Sequence, residues 1–365
     1  MPTTLAIIAA IGTSVFMVLF VLNLAGLLTW VERKQSAVMQ DRIGANRATI
    51  FGMRAFGLFH IIADAVKLFT KEDFIPTTKH RFLFSIAPVL SIFFAIITFA
   101  VIPFGNQITI AGHSIPLQVA DVNVGLLYIF AMMSVAVYGV VLAGWSSNNN
   151  FALLGGIRAS AQMISYEITI GLTLVGVIMI YQSLSLMDIV RAQGGLLFGF
   201  LPAWGIFYQP LGFILFLVAG IAETRRIPFD IPEGESEIIG FFLEYSSMKF
   251  GMFMFTDFIE TILISSLLST FFFGGWQVPY LADAGFVFPW GSTWDLSMWV
   301  VEGMRVISFI VKVCFFCWLL MLIRWTLPRF RFDQLMNLGW KVLLPLSLVN
   351  TLVTAALVLW LESVS

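Results

Sequence analysis

Long runs of apolar residues, separated by short polar connections, dominate the chain. A run of about 20 apolar residues is long enough to cross the hydrocarbon core of a bilayer as a helix. The pattern therefore predicts an all-α polytopic membrane protein, a single integral membrane domain over residues 1–365 with eight transmembrane helices. The predicted spans are 5–31, 82–102, 122–143, 157–181, 207–222, 241–273, 298–325 and 338–361.

A shorter apolar pattern after the first span has the period of a surface helix. Its apolar positions share one helical face, and its charged positions lie elsewhere. Such a segment is typical of a helix that lies in the membrane surface, so we predict an amphipathic surface helix over residues 56–69. The apolar positions are Phe56, Phe59, Ile62, Val66 and Phe69.

Composition excludes an ordinary soluble domain, because 59% of the residues are hydrophobic and 37 are phenylalanine. The first apolar run has neither a basic leader nor a small-residue cleavage site, so we expect a retained span. Of the 20 lysines and arginines, all except Arg191, Arg305 and Lys312 lie in or beside the odd-numbered connections. The positive-inside rule then predicts that both termini lie on the outer side.

Charge is concentrated in the predicted loop 223–240, although charged residues make up only 11% of the chain. Further acids lie inside or at the ends of spans, where a carboxylate must face the bundle interior or a wet cavity. Such a row of acids suits a proton relay; the alternative is that each acid pairs with a nearby Arg or Lys for structure only. These acids are Glu32, Glu167, Glu223, Glu244, Asp257 and Glu260.

Other chemistries find little support. Cys314 and Cys317 form a C-x-x-C inside an apolar run, and two small core residues are favoured over a redox or metal pair. No nucleotide-binding glycine motif, metal site or mid-span pair of haem-ligating histidines is recognisable. We therefore expect no bound cofactor, so any redox carrier would be a diffusible apolar molecule or belong to partner chains.

The first connection is basic and polar, which by itself fits attraction to anionic lipids. Its run Gly44-Ala-Asn-Arg47 has the composition of a defined turn and favours the docking of another protein.

Several stretches, in order along essentially the whole chain, closely resemble the H-type membrane component of bacterial respiratory complex I (NADH–quinone oxidoreductase), the counterpart of mitochondrial NADH dehydrogenase subunit 1. The resemblance rests on Glu32-Arg-Lys, Gln40-Asp-Arg-Ile-Gly-Ala-Asn-Arg47, Ala63-Asp-Ala-Val-Lys-Leu-Phe-Thr-Lys-Glu-Asp73, Pro228-Phe-Asp-Ile-Pro-Glu-Gly-Glu-Ser-Glu237 and Glu244-Tyr-Ser-Ser-Met-Lys-Phe250. It implies a multi-pass protein of the bacterial inner membrane, with both termini periplasmic, that forms much of a quinone chamber and an acidic coupling channel. The implied partners are peripheral-arm chains that carry flavin and iron–sulfur clusters, small membrane subunits and antiporter-like subunits.

The resemblance also assigns expected roles to residues. Positions of the chamber and its entrance are Glu32, Arg33, Arg42, Asp64, Phe229, Asp230, Glu233, Glu235 and Glu237. Channel positions are Glu167, Glu223 and Asp257, to which placement in the spans adds Glu244 and Glu260. Expected docking positions are Arg47, Lys71, Glu72, Asp73, Arg225 and Arg226.

The chain departs from the common family pattern at a few positions. Ala45 replaces a proline, His60 replaces a glutamine, and Ser134 stands where many members have an acid. Near Gly234 the acidic loop is one residue shorter than the common pattern, which changes the orientation expected for its acids.

Two rival functions fit parts of the pattern. A related coupling protein of membrane-bound hydrogenases or ferredoxin-linked complexes would not need to bind quinone, and neighbouring chains would distinguish it. A stand-alone proton-coupled transporter would be expected to show inverted repeats, which the two halves of the chain lack.

Overall fold

The computed structural model describes residues 3–76, 80–110, 113–197, 199–231 and 240–364, and most of them are helical. The helices are α1 (Thr3–Met39), α2 (Phe59–Thr70), α3 (Arg81–Ile97), α4 (Gly125–Ser146), α5 (Asn150–Tyr181), α6 (Leu186–Ala192), α7 (Gly205–Tyr208), α8 (Pro210–Glu223), α9 (Ser247–Phe272), α10 (Met298–Thr326), α11 (Phe332–Asn337) and α12 (Leu344–Val364). A π-helical turn, Leu338–Leu343, joins α11 to α12.

In the described part of the chain, seven helices are long and apolar enough to cross a membrane. The prediction of a polytopic helical membrane protein is therefore confirmed. The predicted fifth span, 207–222, corresponds to α8, which has 14 residues. A helix of that length extends about 21 Å, less than the roughly 30 Å of a hydrocarbon core. The count of eight spans thus stays a prediction.

Small antiparallel sheets occupy the connections predicted to lie on the outer side. β1 (Gln107–Ile110) pairs with β2 (His113–Pro116) between α3 and α4, and β3 (Leu196–Leu197) pairs with β4 (Leu201–Pro202). Between α9 and α10, a three-stranded sheet has the order β5 (Leu281–Ala282), β6 (Gly285–Val287), β7 (Thr293–Asp295). These sheets fold the outer connections back over the ends of the helices.

Helix α9 lies at the centre of the bundle. Within the protein, 72% of its most apolar window is buried, against at most 50% for every other candidate span. Several small hydroxyl side chains of α9 donate to a carbonyl one turn earlier, and Ser265, Ser266 and Thr270 each form such a bond at 2.8 Å. Small residues let neighbouring backbones approach closely, and the bonds within the helix satisfy these three hydroxyl groups away from water.

A buried lysine fixes the turn after α9 to α10. Lys312 Nζ donates to the carbonyl oxygens of Phe273 at 2.9 Å, Gly275 at 2.9 Å and Gln277 at 2.6 Å. An ammonium group has three hydrogens to donate, so these carbonyls match its full capacity. The partners explain how a charged side chain is accommodated within a span.

The predicted surface helix begins later than its apolar pattern. α2 starts at Phe59, because the chain first makes a 3-10 turn at Ala55–Gly57 in which Phe56 has a φ of 52°. Gly57 has a φ of +88°, and a Cβ at this position would lie 2.0 Å from the carbonyl oxygen of Ala45. Only glycine permits this approach, which brings the start of α2 against the turn of the first connection.

Candidate functional site

A cavity of about 140 Å³ lies where α1, α9 and α10 meet the segment that follows α8. We call it the charged cavity, because arginines and carboxylates face one another across it while aromatic side chains complete its wall. Its lining consists of Glu32, Arg225, Arg226, Asp230, Phe242, Phe250, Phe253, Met254, Asp257, Phe258 and Arg324.

Glu32 joins three distant segments at one side of the charged cavity. Helix α1 continues to Met39, beyond the predicted end of the first span, and so carries Glu32 in a continuous helix. Arg226 Nη1 donates to Glu32 Oε2 at 3.0 Å, and Arg324 Nη1 donates to Glu32 Oε1. The guanidinium of Arg226 also lies over the ring of Phe258, 4.1 Å from its centroid. One carboxylate therefore holds two cations beside an aromatic wall.

Arg225 forms the opposite side. It follows α8 with a φ of 55°, in the left-handed region, and its side chain is only 3% exposed. Its Nη2 donates to Asp257 Oδ1 at 2.8 Å and to Glu260 Oε2 at 3.0 Å. The two acids lie three residues apart on α9 and share a face, as their spacing predicts. The left-handed backbone costs about 1 kcal/mol or more for a non-glycine residue, and these ion pairs offset that cost.

The loop motif around Phe229 and Asp230 is anchored from two directions. Phe229 stacks on Phe330 with ring centroids 5.3 Å apart, and its carbonyl accepts a hydrogen bond from Gln162 Nε2 at 2.8 Å. Asp230 Oδ2 accepts from Arg329 Nη2 at 3.0 Å. The motif is thus fixed against α5 and against the connection between α10 and α11.

The segment between α1 and α2 is tied to both helices. Arg33 Nη2 lies 2.6 Å from Asp64 Oδ2, which links the end of α1 to α2. His60 Nε2 accepts hydrogen bonds from the backbone nitrogens of Arg47 and Ala48, each at 3.2 Å. The ring nitrogen of His60 therefore serves as the acceptor that holds the turn of the first connection against α2.

The expected docking residues have varied surroundings. Arg225 and Arg226 point inward and have the internal partners described above. Asp73 Oδ2 lies 2.9 Å from Lys249 Nζ, and the carbonyl of Glu72 accepts from Ser246 Oγ at 3.1 Å. Lys71 is exposed. In the neighbouring turn, Arg42 Nε donates to Gln40 Oε1 at 2.7 Å.

A second group of acids lies deeper in the helix bundle. Glu223 and Glu260 line a small cavity of about 10 Å³ between α3, α4, α5 and α9. Glu223 is buried, and its Oε2 has no hydrogen-bond partner among the described residues. Glu167, on α5, accepts from Ser134 Oγ at 2.5 Å and is close enough to Glu223 to interact with it electrostatically. The serine that replaces an acid thus stays in contact with the acid that remains.

The remaining expected site residues lie elsewhere. Glu244 belongs to the turn before α9, rather than to a span beginning at 241, and accepts from Asn149 Nδ2 at 2.9 Å. The three acids of the predicted loop that lie between positions 232 and 239 fall outside the described residues. They are Glu233, Glu235 and Glu237.

No cluster of three or more metal-ligating side chains occurs among the described residues. Cys317 is buried and donates to Ser265 Oγ at 3.3 Å, whereas Cys314 is exposed on α10. One cysteine of the C-x-x-C therefore packs in the core and the other faces outward.

Sequence reasoning missed the two arginines that complete the site, Arg324 and Arg329. Both belong to a basic turn at the end of α10, a pattern that indicates the side of the membrane but not a partner. The aromatic wall was missed too, because phenylalanines that line a cavity have the same sequence pattern as phenylalanines of a core.

Comparisons with known proteins were made on the whole chain. The family model described as NADH dehydrogenase matches residues 11–355. The second of the numbered H subunits of NADH-quinone oxidoreductase from Geobacter sulfurreducens is 48% identical over 349 residues, covering 95% of this chain and 96% of its own length. The first numbered H subunit of the Cytophaga hutchinsonii enzyme is 45% identical over 350 residues and 96% of each chain. The H subunit of the Flavobacterium johnsoniae enzyme is 44% identical over 335 residues, which are 91% of this chain and 89% of that protein.

Proposed function

The chain belongs to the NADH dehydrogenase family, among the H subunits of NADH-quinone oxidoreductase, and from this membership we propose that its charged cavity is the inner end of a quinone-binding chamber. The observation that carries the proposal is the combination of arginines, carboxylates and phenylalanines around one enclosed space. Its volume of about 140 Å³ is close to that of protein cavities that hold one benzene ring, roughly 150 Å³.

The lining suits the chemistry of quinone reduction. A quinone takes up two electrons and two protons to become a quinol, and negative charge develops on its oxygens before the protons arrive. The guanidinium groups of Arg226 and Arg324 can stabilise that charge in a site with little water. Phe250 and Phe253 offer aromatic surfaces for the ring. The electrons would come from a cofactor on a partner chain.

The entrance would lie between α1 and α2, which pack beside each other. Helix α2 exposes Ile62, Val66 and Phe69, so its outer face is apolar. A helix of this type lies in the membrane surface, as the sequence predicts. An apolar quinone tail could then remain in the bilayer while the ring passes Glu32 into the charged cavity.

Coupling to proton movement would pass through Arg225. Negative charge gained beside the arginines competes with Asp257 and Glu260 for Arg225, and a weakened ion pair favours proton uptake by the released carboxylate. Glu260 shares its small cavity with Glu223, and Glu223 interacts with Glu167. This order of acids leads from the charged cavity toward α4 and α5, and on toward antiporter-like subunits of the membrane arm.

The arrangement in the membrane follows from the same proposal. Helix α8 would be the eighth span, both termini would be periplasmic, and the charged cavity would lie near the cytoplasmic side of the bacterial inner membrane. The turn at Arg47 and the segment 71–73 would then face the peripheral arm. The distribution of lysine and arginine supports this orientation.

Photolabelling of the intact complex tests the chamber. A short-tailed photoreactive quinone is expected to label α9 between positions 250 and 258 and the first connection, and excess unlabelled quinone is expected to suppress both labels. Peptide mapping by mass spectrometry gives the sites. Labels confined to lipid-facing residues of α12, such as Leu352, would contradict the proposal, because α12 contributes nothing to the charged cavity.

Neutralising the deeper acids tests the coupling. Glu223→Gln and Glu167→Gln are each expected to lower quinone-linked proton pumping by about tenfold or more, because a proton relay loses a carrier. Oxidation of NADH by an artificial acceptor on the flavin arm should not change. Asp188→Asn, which removes an exposed carboxylate on α6, is the matched control. Full pumping in both glutamine variants would refute the relay and leave the quinone chamber untouched.

A further inference from the structure

A larger pocket lies at the other end of α1 from the charged cavity. Its volume is about 400 Å³, and it opens between α1, α10 and the connection that carries β1 and β2. Phe16, on its wall, precedes Glu32 on the same helix by a separation of about 24 Å along the axis. We call it the outer pocket. Its lining consists of Thr13, Phe16, Phe104, Ile108, Leu117, Gln118, Val119, Trp299, Glu302, Gly303, Val306 and Ile307.

Two buried polar side chains interrupt the apolar wall. Glu302 and Gln118 are each only 4% exposed. Glu302 Oε1 accepts from Arg305 Nη1 at 2.5 Å, and Gln118 Nε2 donates to the carbonyl of Val101 at 2.7 Å. Their other oxygens, Glu302 Oε2 and Gln118 Oε1, are buried without a hydrogen-bond partner among the described residues. Buried acceptors without donors are rare and costly, so each calls for an explanation.

The charges around the pocket favour a cation. Arg305 Nη2 also donates to Asp283 Oδ1 at 2.7 Å, so two carboxylates surround one guanidinium. The surplus is one negative charge, and it lies beside two oxygen acceptors. A ligand that matches both features carries a positive charge and at least two N–H groups.

We propose that the outer pocket binds a phospholipid with a primary-amine headgroup, whose ammonium donates to Glu302 Oε2 and Gln118 Oε1. The apolar wall receives the adjoining part of the lipid, and the volume lies within the usual range of small-ligand sites. Exposed Phe16 and Ile307 continue the apolar surface along α1 and α10, where an acyl chain can lie. A choline headgroup carries the same charge but has no N–H, so it satisfies neither oxygen.

The lipid can be identified with a photoreactive phosphatidylethanolamine, labelled in its acyl chain, bound to the purified complex that contains the chain. Label is expected on α10 between positions 299 and 307 and on α1 near position 16. Phosphatidylethanolamine should compete fully, its N,N-dimethyl form with one remaining N–H should compete weakly, and phosphatidylcholine should not compete. Free ethanolamine should not compete either, because it lacks the apolar part.

Two variants separate binding from folding. At Gly303 a Cβ would meet nothing within 4 Å, so Gly303→Phe fills the pocket and leaves the Glu302–Arg305 pair in place. It is expected to lower the label at least about tenfold, as is Glu302→Gln, which removes the charge but keeps the shape. Gly12→Phe is the matched control, because Gly12 also has open space around it but lies outside the pocket.

Three results would overturn the proposal. Equal competition by phosphatidylcholine would mean ordinary boundary lipid with no headgroup recognition. Unchanged labelling in Gly303→Phe would place the lipid elsewhere. Absence of label from α10 in the complex, with label present on the isolated chain, would mean that a partner helix covers the pocket.

Discussion

Arg225→Met is expected to lower the free energy of unfolding of this chain by about 3–5 kcal/mol, because it leaves two buried carboxylates without their cation. Asp257 and Glu260 both depend on Arg225 Nη2, and all three side chains are largely buried. Denaturant unfolding of the purified protein in detergent measures the loss. Arg191→Met is the matched control, since that arginine is 46% exposed and lies 4.0 Å from Asp188. A surface pair of this kind contributes about 0–1 kcal/mol.

A triple variant separates stability from function. Adding Asp257→Asn and Glu260→Gln to Arg225→Met removes the unpaired charges, and stability should return to within about 1 kcal/mol of the original protein. Quinone reduction should remain low, because the proposed coupling passes through Arg225. If Arg225→Met is as stable as Arg191→Met, the ion pairs do not have the energetic role that their geometry indicates.

Glu32→Gln is expected to lower quinone reduction by about 10- to 100-fold, the size of effect that follows when reacting groups shift by about 1 Å. Glu32 holds Arg226 and Arg324 in place, and without its charge the two guanidinium groups repel each other across the charged cavity. The rate of NADH oxidation with a short-chain quinone measures the loss, and an artificial acceptor on the flavin arm should be reduced at the original rate.

Two further variants define how Glu32 acts. Glu32→Asp keeps the charge and shortens the side chain, so partial activity is expected. Asp188→Asn removes an exposed acid from α6 and should have no effect. Full quinone reduction in Glu32→Gln would remove the charged cavity from the proposed reaction.

The sequence predicted most helices because crossing a bilayer imposes a length and a composition that apolar runs display directly. It placed the end of the first span at 31, however, because charged residues follow. The helix continues to Met39, since long charged side chains are good helix formers and Glu32 finds partners inside the protein. The outer strands gave no signal, because elements of two to four residues are too short for a periodic pattern.

The candidate site was predictable only where its residues share an element. Asp257 and Glu260 lie three apart on one helix, and their shared face follows from the helical period. Arg226 lies 194 residues from Glu32, and Arg324 lies 292 residues from it. No periodic rule pairs residues across such distances, so the partners of Glu32 emerge only from the packing of α1, α9 and α10.

The position of Glu32 also sets an order for the making of this protein. α1 leaves the ribosome first, but Arg324 follows 292 residues later, which at roughly 5–20 residues per second takes about 15–60 s. During that interval the first helix must wait with its carboxylate at the edge of the bilayer, still in water. The charged cavity therefore closes late in biogenesis, and the newly inserted α1 depends on the last third of the chain to complete it.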